Sequence, residues 1–318
     1  MTSGPSCVVV ADIGGTTTRV AVVQAERMVA RICVPTVRGE GLAEFVGRAV
    51  NDLLASSGMN LDCAVGMGVS IPGPLNRGRR QVAFTGNVEL RDYPLAERLE
   101  QSLGIPVVMD DDANCAALAE ATLGAAVGCS AAVLIVVGTG IGGGIVVDGA
   151  PYRGAHSAAG EIGHIVLDPD GPACTCGHTG CFEALASGPA LAKRGKMAML
   201  GRSAPILGDL VGSDPEAIDA VSVLAAAKRG DPGAVAALEE TGYYLGLGVA
   251  AVANILDPDV IVLGGGLGSR PEMLAFARRG VTEHCIAPID RLVRVETAQL
   301  GDDAGLWGAA LLILAETE

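Results

Sequence analysis

The stretch CVVVADIGGTTTRVAVV, residues 7–23, decides the fold. It sets a β-branched run, a glycine-rich turn and a second β-branched run in series. That order predicts a β-hairpin whose glycines face something that approaches the backbone closely. The same arrangement returns in AAVLIVVGTGIGGGIVV, residues 131–147. Its recurrence predicts two similar α/β domains facing each other across a cleft, where ligands tend to sit. Chance likeness between two glycine-rich hairpins is the competing reading.

Between the hairpins, residues 41–56 carry the periodicity of an amphipathic helix, and 64–76 read as a strand entering a turn. Residues 105–110 read as a strand and 113–124 as a helix that Asp110, Asp111 and Asp112 introduce, acidic groups being favourable at a helix start. Further helices are expected near 189–200, 222–229 and 233–256. Residues 257–268 form a buried strand into a glycine turn, and 302–316 a helix with Asp302 or Asp303 near its N-cap.

The chain has 318 residues, of which 50% are hydrophobic, 3% aromatic and 45 glycine, a profile of Val/Ile strands, Ala-rich helices and tight turns. It is long enough for two domains. A formal net charge of -14 argues against a general nucleic-acid surface, so that no nucleic-acid partner is expected. An anionic ligand would need local help from metal ions or backbone amides. Residues 121–147 are uncharged and long enough to span a bilayer, but they hold seven glycines, five of them within 138–144. Strand, turn, strand is the better reading, so no membrane partner is expected. The N-terminus lacks the basic and apolar regions of a signal peptide, which predicts a cytoplasmic protein.

Chemistry concentrates in four places. Asp12, Gly14, Gly15, Thr16 and Thr17 form a loop with a carboxylate suited to hydrated Mg²⁺. Gly138, Thr139 and Gly140 begin a run that matches the dinucleotide fingerprint in letters. The run continues as a strand rather than opening a helix, so the nicotinamide reading is rejected. A series of backbone N–H groups able to cradle phosphate remains, with Thr139 as a hydroxyl donor. DDDAN, 110–114, gathers three carboxylates where a strand meets a helix. Capping and solvent exposure account for Asp110, while a neighbour facing a cleft would suit a general base on a substrate hydroxyl. Finally, His164, Cys174, Cys176 and Cys181 fall in HIVLDPDGPACTCGHTGCFE, 164–183, with Glu161 and Glu183 on its flanks. Three thiolates and an imidazole are the usual set for closed tetrahedral zinc, and glycines 171, 177 and 180 let the loop turn. A disulfide is the alternative, although nothing else suggests an oxidising compartment. The other cysteines, at 7, 33, 63, 115, 129 and 285, read as buried small hydrophobes.

DIGGTTTR (12–19), DDAN (111–114), GTGIGGG (138–144), EIGH (161–164) and CTCGHTGCFE (174–183) resemble, in order, the signature series of the ROK family. That family comprises bacterial sugar kinases, related repressors and hexosamine kinases. The resemblance implies an α/β, two-domain actin-like ATPase (ribonuclease H-like) fold with an interdomain cleft. Residues 1–112 would form a small domain with helix 303–318 packed back on it. Residues 113–302 would form a large one holding the zinc knuckle, 164–183. It further implies an ATP-dependent hexose 6-kinase in which Asp112 takes the proton of the sugar 6-hydroxyl. Gly73, Asn87, Glu161, His164 and Glu183 match sugar-holding residues. His164, Cys174, Cys176 and Cys181 match the ligands of a structural zinc. Asp12, as a Mg²⁺ ligand through water, and the loops at 14–17 and 138–142 match the ATP-phosphate site. Gly264, Gly265 and Gly266 lie where adenosine is held. A homodimer or homotetramer is the implied assembly.

One position departs from the pattern. Family kinases carry Asn before the catalytic Asp, where this chain has Asp111, which only accepts hydrogen bonds when ionised. An anion there would suit a glucose-like amino sugar such as kanosamine (3-amino-3-deoxyglucose), with glucose as the other reading. A non-catalytic sugar-binding regulator of the same family is the alternative of a different class. Such repressors carry a DNA-binding segment ahead of the first phosphate loop, and that loop here begins at Asp12.

Overall fold

The structure is a computed structural model and describes residues 7–317. In chain order it opens with β1 (Cys7–Ile13), β2 (Thr17–Gln24), β3 (Arg27–Pro35), α1 (Leu42–Ser56), β4 (Ala64–Ile71), β5 (Val82–Thr85) and β6 (Leu90–Tyr93). α2 (Leu95–Leu103), β7 (Val107–Asp111) and α3 (Asp112–Leu123) follow. Next come β8 (Ala131–Val137), β9 (Ile141–Val147), β10 (Ala150–Pro151), α4 (Phe182–Ala186), α5 (Gly188–Leu200), α6 (Pro205–Leu210), α7 (Ala220–Lys228) and α8 (Pro232–Leu256). β11 (Val260–Gly264), α9 (Gly265–Gly268), α10 (Pro271–His284), α11 (Ile289–Leu292), β12 (Arg294–Thr297) and α12 (Ala304–Thr317) complete it. This is an α/β protein, and both expected hairpins are present.

The chain divides into two compact units. Of the described residues, the first takes those up to Gly124, then Gly144–Gly160, then those from Leu300 onward; the second takes Ala125–Gly143 and Glu161–Gln299. The first unit is built on a sheet of order β3-β2-β1-β4-β7, with β1–β2 and β2–β3 antiparallel and β1–β4 and β4–β7 parallel. Side chains alternate across a strand, so β1 serves two cores at once. Val9, Ala11 and Ile13 pack with Val46, Val50, Leu95 and Leu99 of α1 and α2, while Val8 and Val10 pack with Leu118 of α3 and Leu306, Ala309 and Ile313 of α12. Burial on both faces explains why the strand reads as a continuous apolar run.

The other five-stranded sheet has the order β10-β9-β8-β11-β12, again a hairpin followed by two parallel strands. The two sheets thus repeat one strand pattern. In the second unit α8 is the central helix, packed against α4, α5, α7 and α10. Asp231, fully buried, caps it by accepting from Ala234 N (3.0 Å) and also accepts from Leu207 N (3.0 Å). Among the described residues no helix is long and apolar enough to cross a membrane; 121–147 is the end of α3, a turn, and the β8–β9 hairpin.

One local expectation needs correction. Only Cys7 and Cys115 of the six scattered cysteines are buried; Cys33 is exposed because β3 is the sheet edge, and Cys63, Cys129 and Cys285 are half-buried. As expected, Asp303 immediately precedes α12; it and Asp302 sit in a 3-10 turn, Gly301–Asp303, and their carboxylates pair with Arg31 (3.1 Å) and Arg19 (3.5 Å).

Candidate active site

In the first unit the glycine loop between β1 and β2 is tightly braced. Gly14 N donates to Thr17 O (2.9 Å), the Thr36 hydroxyl to Gly14 O (2.7 Å), and Thr36 N to Thr16 O (3.0 Å). Gly15 lies against Asn87, whose carbonyl would meet a Cβ there at 3.2 Å, so two positions expected at separate subsites are neighbours. Asp12, the last residue but one of β1, has its side chain 14% exposed; it accepts from the Ser70 hydroxyl (2.7 Å) and from Arg19 (3.2 Å). Burial pushes its carboxyl above the ordinary carboxylate range, and Ser70 and Arg19 pull it partly back. Ser70 is the one polar side chain in the apolar strand β4, a signal that sequence reading passed over. Arg19 lies within the DIGGTTTR motif but had been given no role.

The DDDAN junction separates its three carboxylates by environment. Asp111 is the N-cap of α3: Oδ1 accepts from Ala113 N and Oδ2 from Gly73 N, each at 3.1 Å. Gly73 is thereby brought to Asp111. Asp112 is the first residue of the helix and is exposed. Asp110 is neither exposed nor a cap, contrary to expectation. It is 2% exposed and accepts from Arg153 Nε (2.6 Å), Asn114 Nδ2 (3.1 Å) and Asp111 N (2.9 Å), with Arg79 at 3.9 Å. The burial of a carboxylate at the end of a strand is sustained by this guanidinium, which lies 43 positions away in sequence.

In the second unit the turn 138–140 closes on itself, Gly138 N donating to Gly140 O (2.9 Å), and leaves Thr139 exposed. Glu183 reaches it: its Oε2 accepts from Ile141 N at 3.0 Å. Gly264, Gly265 and Gly266 run from the end of β11 into α9. Glu161 and His164 are both exposed, at the two ends of a short 3-10 turn.

The knuckle is ordered by its own backbone. Cys174 N donates to His178 O (2.7 Å), Gly177 N to Cys174 O (3.0 Å) and Gly180 N to Pro172 O (2.8 Å). Gly180 has φ +70, and a Cβ there would fall 1.4 Å from Asp168 O, so no other residue fits. Phe182, fully buried, lies over Gly248 of α8 and anchors the loop's end.

His164, Cys174, Cys176 and Cys181 bring their ligand atoms within 4.8 Å of one another. Cys174 Sγ lies 3.8 Å from His164 Nδ1, Cys176 Sγ lies 3.6 Å from Cys181 Sγ, and the three cysteines are free thiols. A tetrahedron with metal–sulfur bonds of about 2.3 Å sets its sulfurs roughly 3.8 Å apart, so the donor set fits a four-coordinate metal. Burial, then the neighbouring thiols, push Cys181 up to about 12, whereas the backbone N–H of His178 draws Cys176 down. A metal among these cysteines would bind them as thiolates.

The sequence pattern of the ROK family matches residues 8–316. The glucokinase of Streptomyces coelicolor is 36% identical over 305 residues, covering 94% of this chain and 95% of its own. The N-acetyl-D-glucosamine kinase of Citrobacter koseri is 31% identical over 317 residues, 96% and 98% of the two chains. A crystal structure of a ROK family glucokinase from Streptomyces griseus, in complex with glucose and AMPPNP, superposes with a TM-score of 0.81 at 36% identity, covering 97% of this chain and 99% of that one.

Proposed function

Because this chain belongs to the ROK family, of actin-like ATPase fold, and is a sugar kinase within it, we propose that it transfers the γ-phosphate of ATP to the 6-hydroxyl of a hexose or amino-hexose. The observation that carries the mechanism is Asp112, an exposed carboxylate on the first turn of α3 whose neighbours on both sides are fixed. Asp112 accepts the proton of the attacking hydroxyl. Gly73, Asn87 and Asp111 of the first unit, and Glu161, His164 and Glu183 of the second, match the family's sugar-holding positions. The turns at Gly14–Thr17 and Gly138–Gly140 supply backbone N–H groups and threonine hydroxyls to the phosphates, and Gly264–Gly266 meet the adenosine. In such transfers a protein mainly positions reactants and neutralises charge. Asp12 would hold Mg²⁺ through water, and bound Mg²⁺ neutralises phosphate charge. His164, Cys174, Cys176 and Cys181 would hold a structural zinc, with no coordination position left for substrate. Use of ATP fits a cytoplasmic enzyme.

Asp111 supports an amino sugar as the preferred acceptor. Both its oxygens accept from backbone N–H groups, a pair of bonds that an Asn could not make, since its amide nitrogen only donates. An ionised Asp111 beside an ammonium group on the sugar would make a charge-assisted bond worth about 1.5–3 kcal/mol. Glucose is the second reading, favoured by the 36% identity to a glucokinase. A non-catalytic regulator has less support, because the sequence keeps Asp112 and both glycine turns and its relatives include glucokinases.

A coupled assay of ATP consumption tests the first reading: hexose-dependent turnover is expected in the wild type and lost in Asp112→Ala with the fold intact. Comparing kcat/KM for 3-amino-3-deoxyglucose and glucose tests the second, because Asp111→Asn should move their ratio about tenfold or more toward glucose. The ratio is the decisive quantity, since the substitution also disturbs Gly73 and lowers both rates. An unchanged ratio rejects the amino-sugar reading.

A further inference from the structure

The carboxylate of Glu183 is committed to the backbone of the second phosphate turn. Oε2 accepts from Ile141 N at 3.0 Å, and a Cβ on Gly140 would stand 2.5 Å from that same oxygen. The carboxylate therefore fills the space that any side chain at 140 would need. Five residues later Gly188 N donates to Gly138 O at 2.8 Å. Both ends of the turn, Gly138 and Ile141, are thus tied to the segment spanning α4 and the start of α5. That segment is firm: Phe182 beside Glu183 is fully buried against Gly248. The other oxygen, Oε1, faces the knuckle, 3.4 Å from the Thr175 hydroxyl and 3.9 Å from Cys174 Sγ.

We infer that Glu183 is a positioning residue for the Gly138–Gly140 turn and thereby sets affinity for the phosphates of the donor. This role rests on the reading that the turn holds ATP phosphates. A carboxylate beside an anion site is repulsive unless its charge is engaged, and the bond to Ile141 N engages it. With Gly138 N and Ile141 N both spent inside the protein, the amides of Thr139 and Gly140 and the Thr139 hydroxyl are the donors that meet phosphate. Without Glu183 the first residue of β9 loses its tie, and the turn loses the geometry in which those donors converge.

Binding of AMPPNP with Mg²⁺, of adenosine and of glucose, together with amide exchange at Ile141, tests this in the full chain. Glu183→Met, similar in length but without a strong acceptor, should lose about tenfold or more in AMPPNP affinity, keep its adenosine affinity and exchange the Ile141 amide faster. Glu183→Gln, which keeps a carbonyl for Ile141 N, should recover most of both. Gly140→Ala, whose Cβ displaces the same oxygen, should also speed Ile141 exchange with Glu183 present, and serves if Glu183→Met does not fold. The role is overturned if Glu183→Met weakens glucose alone and leaves the AMPPNP-to-adenosine ratio and Ile141 exchange at wild-type values. A wild type that binds AMPPNP no better than adenosine overturns instead the underlying phosphate reading, while Ile141 exchange still reports the brace.

Discussion

Arg153 Nε donates to Asp110 Oδ2 at 2.6 Å at the end of β7, where Asp111 closes the strand and Asp112 opens α3. Asp110 is 2% exposed, and its other oxygen accepts from Asp111 N and Asn114 Nδ2. The pair fixes the junction from which the proposed base projects. Removing one partner of a buried pair leaves an uncompensated charge, at a cost of about 3–5 kcal/mol. Arg153→Met should fall near the lower end, because Arg79 remains 3.9 Å from Asp110. The double variant Asp110→Asn, Arg153→Met should recover part of the loss. Urea unfolding of the four proteins in this cycle measures the coupling; additive single and double effects would contradict it.

The knuckle should bind one zinc per chain, in a site its own thiols favour. Cys181 is the most telling ligand to change, since it is fully buried between Cys176 and the anchoring Phe182. Cys181→Ser should lose the metal and lower the melting temperature, and chelation of the wild type should do the same. Metal content by mass spectrometry and thermal unfolding with and without chelator check this. Metal-free protein of undiminished stability would mean that the backbone bonds of the loop suffice.

What was legible in the sequence was local. The hairpins at 7–23 and 131–147 and the thiols of 174–181 show themselves because spacing along the chain fixes both. The edge strand β3 gave no such signal: only β2 covers it, so its residues alternate between exposed and half-buried rather than apolar. Asp110 was misread for a related reason. Its burial depends on Arg153, and the role of Glu183 depends on Ile141, pairings 43 and 42 positions apart that no period or motif records. Asp110 looked like an exposed cap because capping is local chemistry, whereas its burial is set by what packs against it.

Acid should weaken the first unit through Glu100. Arg80, which bonds both its oxygens, holds the Glu100 carboxyl below the ordinary range, and Val107 N at the start of β7 adds to this. A carboxylate with a lowered folded-state pKa contributes stability above its unfolded value, and that contribution disappears as pH falls through the lowered one. The wild type should therefore lose stability toward acid more steeply than Glu100→Gln, with the two curves converging at low pH. Denaturation midpoints between about pH 2 and 7 test the sign, and curves that stay parallel would contradict it. The pair is a third exposed, so the effect should be modest and should shrink with salt.

Gly177 and Gly180 offer a paired test of how the knuckle is built. Both have positive φ, +93 and +70, but a Cβ on Gly177 meets nothing within 4 Å, whereas one on Gly180 would strike the Asp168 carbonyl. Gly177→Ala should carry only the backbone cost of the left-handed region, about 1–2 kcal/mol, and keep its metal. Gly180→Ala cannot keep the loop as it stands. Leu167 N and Asp168 N both donate to Gly180 O, and Val166 bridges Cys181, so displacing residue 180 pulls a ligand with it. Metal loss in Gly180→Ala alone is the expected result. Equal retention in both would mean that the ligands, not the close approach at Gly180, hold the loop in shape.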